Sequence, residues 1–109
     1  MPKYIIIFTT ASSQKEAEII SKILLKKKLC ACVNIIGSMG SAFWWNNKID
    51  KAKEKLLIIK TKSSYFKKIE KEILKNHSYD VPEIIAVPIV LGSKKYLEWI
   101  GSNTKSEIQ

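Results

Sequence analysis

The side chains with chemistry to offer are few and fall into two groups. Cys30 and Cys32 flank Ala31, and Met39 follows across a glycine-bearing stretch. Thiolates are soft donors that select Cu(I) or Zn. The sole histidine, His77, stands close to Tyr79, Asp80 and Glu83, and any general acid or base would be His77, Asp80 or Glu83. Both groups have plain structural readings. Cysteine packs as a small buried hydrophobe, and a lone histidine followed by a turn is a common helix stop. A C-x-C pair alone is a weak metal signal, so Cys30, Cys32 and His77 stand as candidate donors only. In extended backbone the two cysteines share one face with Cα atoms about 6.5 Å apart. A bridge at that span is strained, so both are expected as thiols. The chain has no glycine-rich phosphate loop ending in Lys-Ser/Thr, no G-x-S-x-G and no H-E-x-x-H. A binding protein, not an enzyme, is the expectation.

The elements that must position these groups follow from pattern. Lys3–Thr9 is an unbroken β-branched and aromatic run, the signature of a central strand buried on both faces. Ser13 and Glu16 form a capping-box pattern ahead of a helix whose Ala17, Ile20 and Leu24 recur at helical spacing. Lys26, Lys27 and Lys28 close that helix where its dipole favours cations. Leu29–Ile36 is a second strand, bent at Gly37–Ser41 and resumed at Ala42–Trp45. Asn46-Asn47 supplies a two-residue turn, and Lys48–Lys62 returns. A second helix is predicted from Ser63 or Ser64 to Asn76, with Phe66, Ile69 and Ile73 on one face. Ile84–Val90 is a fourth strand, and Pro88 within it calls for a sheet edge or a bulge there. A last helix opens at Gly92-Ser93 and is capped by Gly101. The order β-α-β-β-α-β plus a short C-terminal helix is that of an α+β, ferredoxin-like sandwich. Residues 1–101 are read as one domain and 102–109 as a polar tail.

The central hairpin is too long for its domain. Each arm is about 16 residues, up to roughly 50 Å fully extended, whereas a compact domain of 109 residues is about 34 Å across. The tip carries Phe43, Trp44 and Trp45, an apolar patch that calls for burial against other subunits. A homo-oligomer is therefore expected.

Nineteen basic residues oppose ten acidic ones, a net charge of +9. All nineteen are lysine, and eighteen isoleucines accompany them, a pairing that codon bias alone would produce. The missing arginine argues against nucleic-acid readout, which relies on its planar fork. So does Leu56–Thr61, which lacks the aromatics of an RNA-recognition strand. No apolar run approaches the roughly 18 residues of a membrane span, and the N-terminus shows no cleavage pattern. A soluble cytoplasmic protein is expected.

Five segments stand in order with familiar spacing: Ala31-Cys32-Val33-Asn34-Ile35-Ile36, Phe43-Trp44-Trp45, Leu57-Ile58-Ile59-Lys60-Thr61, His77-Ser78-Tyr79-Asp80-Val81-Pro82-Glu83-Ile84 and Tyr96-Leu97-Glu98-Trp99-Ile100. Together they resemble the CutA family of divalent-cation tolerance proteins, from Lys3 to Ile100. The resemblance implies a homotrimer in which long hairpins cross between subunits, with Phe43, Trp44, Trp45 and Trp99 as candidate interface residues. It implies a response to divalent ions, copper above all, bound directly or sensed. It makes Cys32 and His77 candidate ligands, and Tyr79, Asp80 and Glu83 candidate residues of a cleft between subunits. A small-molecule signalling trimer like the PII proteins is the alternative, and a basic nucleic-acid-binding module a weaker one. Departures from the family pattern are local: Cys30 for a common Ala, Ser78 and Gly37 for frequent prolines, and Asn47 for the usual turn glycine.

Overall fold

The computed structural model describes residues 2–106. Strand β1 (Tyr4–Ala11) leads to helix α1 (Gln14–Lys26), then to β2 (Cys32–Trp45) and β3 (Lys48–Lys62). A single 3-10 turn (Ser63–Tyr65) precedes α2 (Phe66–Asn76), followed by β4 (Ile84–Pro88) and α3 (Lys94–Ser102). The strands form one four-stranded sheet in the order β2-β3-β1-β4, every neighbour antiparallel. The architecture is α+β, with the apolar run of β1 in the interior of the sheet and β4 at its edge, one of the two placements Pro88 allows.

The period-2 alternation of the strands sorts their side chains onto two faces. Ile5 and Ile7 of β1 and Leu57 and Ile59 of β3 are buried with Ala17, Ile20 and Leu24 of α1 and Ile69 and Ile73 of α2. Val33 and Ile35 of β2 join this core from the same side. The intervening residues, Ile6, Phe8, Ile36, Ile58, Ile85 and Val87, lie on the opposite face. There Phe8 is in register with both Ile58 and Ile85. Ile36, Ile85 and Val87 remain 52%, 53% and 40% exposed.

Several local expectations hold. The Ser13 hydroxyl caps α1 by accepting the Glu16 N–H at 3.1 Å. Lys28 takes a left-handed conformation (φ 55°) just past that helix, and the Leu29 N–H bonds back to the Leu24 carbonyl at 3.0 Å. Lys27, the C-cap of α1, pairs with Glu72 of α2 at 2.6 Å. Asn46 and Asn47 have φ of 51° and 62°, the primed turn that matches strand twist. The register slips between Ile36 and Met39, and the Lys55 side chain lies where a Cβ on Gly37 would be.

Other expectations are corrected. The second helix begins with the 3-10 turn and becomes α-helical only at Phe66. Regular pairing of β4 stops at Pro88, two residues short of Val90, although the Ile89 N–H still reaches the Tyr4 carbonyl at 3.1 Å. Gly101 is not a cap. It lies inside α3, which ends at Ser102 with Asn103 as C-cap. A Cβ at Gly101 would come within 2.9 Å of the Tyr4 hydroxyl oxygen, so the glycine serves close packing. The segment after α3 is docked as far as it is described. Thr104 is buried, the Lys105 N–H donates to the Lys28 carbonyl at 2.8 Å, and the Tyr65 hydroxyl donates to the Lys105 carbonyl. The rest of the predicted tail, 107–109, lies outside the described residues.

The hairpin overhangs as its length demands. Pairing of β3 with β1 ends at Ala11↔Lys55, so residues 48–54 pair with β2 alone, an arm of about 23 Å. The molecule measures 45 × 26 × 23 Å.

Candidate functional site

The sequence places His77 just past α2, and the fold turns it inward. Its side chain is fully buried. Nδ1 accepts the Tyr79 N–H at 3.0 Å, which leaves the proton on Nε2, and Nε2 donates to the Thr10 carbonyl at 2.6 Å. One neutral tautomer satisfies both contacts. With both ring nitrogens engaged, neither is free to bind a metal.

Glu16 completes this corner. Its Oε1 accepts the Ser12 N–H at 2.9 Å and the Ser12 hydroxyl at 3.2 Å, and its Oε2 accepts the Ser78 N–H at 2.9 Å. Oε1 also lies 3.8 Å from His77 Nε2. Burial opposes ionisation of Glu16, but the hydrogen bonds from Ser12 and Ser78, with His77 beside them, outweigh it and hold the carboxyl below its ordinary value. A helix-capping acid thus doubles as the clamp on residue 78. The capping-box pattern predicts that Glu16 takes the Ser13 N–H; its carboxylate instead takes the Ser12 N–H and reaches across the fold to Ser78.

The clamp aims the next residues at the overhanging arm. The Tyr79 hydroxyl donates to Glu54 Oε2 at 3.0 Å. Burial, followed by this contact with Glu54, pushes the phenol up to about 12. Between the arm and the 79–83 segment runs a groove of about 890 Å³, lined by Phe43, Trp44, Trp45, Asp50, Lys51, Glu54, Tyr79, Asp80 and Glu83 among others. The predicted cleft residues Tyr79, Asp80 and Glu83 therefore meet the predicted interface aromatics of the hairpin. Trp99 lies elsewhere, stacked on Tyr96 with ring centroids 5.6 Å apart. Asp50 and Glu54 were missed from sequence. Asp50 and Glu54 stand out there only as the two acids in the lysine-rich first half of β3.

The cysteines do not share a face, contrary to expectation. The chain bends at Ala31 and β2 begins only at Cys32, so the alternation rule fails across the pair. Cys30 is buried in the core under the helices, where burial, then its neighbour Cys32, pushes its thiol up to about 12. Cys32 is half-buried on the opposite face. Its sulfur lies 4.0 Å from Lys60 Nζ and 4.0 Å from Asn34 Oδ1, and Lys60 also donates to Asn34. Both cysteines are free thiols. Cys32 is in register with Lys60, whereas the carbonyl that His77 grips belongs to Thr10, opposite Leu56. Four strand positions, about 13 Å, separate the two places, so Cys32 and His77 of one chain cannot share an ion. Among the described residues no three His, Cys, Asp or Glu side chains converge as a metal site.

A family model described as CutA1 divalent ion tolerance protein matches residues 5–103. The chain belongs to the CutA1 family. It is 49% identical over 94 residues to the divalent-cation tolerance protein CutA of Archaeoglobus fulgidus, covering 86% of this chain and 91% of that one. It is 39% identical over 101 residues to the chloroplastic Protein CutA 1 of Oryza sativa subsp. japonica, covering 93% of this chain. The chain spans 57% of the length of that rice relative and 56% of its Arabidopsis thaliana counterpart. The crystal structure of CutA1 from Oryza sativa superposes with a TM-score of 0.93 at 37% identity, covering 97% of each chain. A structure from Archaeoglobus fulgidus, described as a periplasmic divalent cation tolerance protein, gives 0.91 at 45% identity, covering 94% of this chain and 99% of that one. Among the described residues no helix is long and apolar enough to cross a membrane.

Proposed function

We propose that this chain acts in divalent-cation tolerance as a ferredoxin-like homotrimer that responds to a ligand seated in the groove between the hairpin arm and residues 79–83. The observation that carries the assembly is the sheet face opposite α1 and α2. Ile36, Ile85 and Val87 are exposed there and Ile6, Phe8 and Ile58 half-buried, an apolar surface of the kind that marks an interface. Burying this face on sister chains accounts for the unbroken apolar run of β1, which suits a strand covered on its two faces, and leaves the groove beside the arm open. Copper is the ion this reading favours. Its contact in this chain is Cys32, because Cys30 is sealed in the core and His77 is spent on backbone partners. No residue is assigned a catalytic role, and the working compartment is the cytoplasm.

Sedimentation equilibrium tests the assembly. Three times the 12.4 kDa chain mass is expected at micromolar concentration, and Ile85→Asp is expected to shift the chain to smaller species. A folded monomer of the unaltered chain refutes the proposal. Titration with Cu(I) under reducing conditions tests the ion: Cys32→Ala should lose binding that His77→Ala keeps.

A further inference from the structure

The groove is a negative island on a positive protein. Asp50, Glu54, Asp80 and Glu83, four of the chain's ten acidic residues, line it against one lysine, Lys51. Among the described residues none of the four has a lysine within ion-pair distance. Glu54 is 7% exposed, its polar partner the Tyr79 hydroxyl at 3.0 Å. A buried carboxylate without a counter-charge is costly, and a cation entering the groove would relieve it. A bare metal ion fits poorly. Calcium takes six to eight converging oxygens and magnesium demands a tight octahedron, whereas these carboxylates do not converge. What lies among them is aromatic: Phe43, Trp44, Trp45 and Tyr79.

Spaced carboxylates separated by ring faces are the chemistry for an extended organic cation. Ammonium groups meet carboxylates in charge-assisted hydrogen bonds, and methylenes and ammonium groups lie favourably on indole faces. We infer that the groove binds an aliphatic polyamine, its ammonium ends on Glu54 and the Asp80/Glu83 pair and its methylene chain along Trp44 and Trp45. This rests on the groove being the ligand seat, as proposed above, and is independent of any copper at Cys32.

Isothermal titration of the intact chain with spermidine, 1,4-diaminobutane and Mg²⁺ tests it. Saturable spermidine binding at one per chain is expected, with 1,4-diaminobutane binding more tightly than Mg²⁺ of equal charge. Asp80→Asn with Glu83→Gln should weaken spermidine at least tenfold. Trp44→Ala, at an exposed position, should weaken it at least threefold while leaving Mg²⁺ unchanged. Equal responses to the diamine and Mg²⁺, with no effect of Trp44→Ala, would reduce the groove to a diffuse charge effect and overturn the inference. Absent polyamine binding by an intact trimer that still binds copper overturns this inference alone. Polyamine binding by a folded monomer sustains it while overturning the assembly.

Discussion

Replacing His77 by alanine separates two ideas about that residue. If the imidazole is a structural link, as its contacts indicate, the substitution strips the Thr10 carbonyl and the Tyr79 N–H of their partners at once. Thr10 is only 6% exposed, and a buried polar group left unpaired costs about 1–3 kcal/mol. Water will reach the half-buried Tyr79 amide more easily than the Thr10 carbonyl, so the joint loss should be about 3 kcal/mol. With a urea m-value of about 1.5 kcal/mol/M, the midpoint falls by roughly 2 M. The assay is urea unfolding followed by far-UV circular dichroism at a fixed chain concentration, since the proposed assembly makes stability concentration-dependent. His77→Gln, whose amide can still donate toward the Thr10 carbonyl, should recover part of the loss. An unchanged midpoint for His77→Ala, together with a large drop in copper affinity, would refute the structural role and restore the imidazole as a ligand.

Two further outcomes follow from the same corner and from the core. Glu16 has its carboxyl pulled below the ordinary value in the folded state, so its contribution is complete above the unfolded value near 4.5 and is lost as pH falls through the lower folded one. Glu16→Gln should therefore cost about 2 kcal/mol at neutral pH, and the gap from the unaltered chain should narrow in urea melts below pH 4. Cys30, buried with its thiol pushed up to about 12, should resist iodoacetamide in the folded protein and react once unfolded in guanidinium. Mass spectrometry showing Cys30 alkylated in the native chain would contradict its place in the core.

The parts of the fold legible in the sequence are those written locally. The run Tyr4–Phe8 announced a central strand, Asn46-Asn47 a primed turn, and Pro88 a sheet edge or a bulge, because each depends on its own backbone. The misreadings come from longer-range contacts. Gly101 looked like a helix stop, but its missing Cβ makes room for the Tyr4 hydroxyl from the far end of the chain. Cys30 and Cys32 looked like a pair because alternation was assumed through Ala31, where the backbone bends. At the candidate site, Tyr79, Asp80 and Glu83 were visible as a motif. Their counterpart Glu54 was not, since its meaning depends on a partner 25 residues away. The role of His77 was hidden for the same reason, being fixed by a carbonyl 67 residues earlier.

The overhanging arm has a consequence for the newly made chain. Beyond Lys55 its two strands have only each other, so both outer rims of the ribbon carry amide and carbonyl groups with no neighbouring strand. Such rims invite stray strands and seed fibrils. Lys48, Lys51 and Lys53 stand exposed along this stretch, where an incoming strand would have to bury or crowd their charges. Their charges oppose the addition of a stray strand along this ribbon.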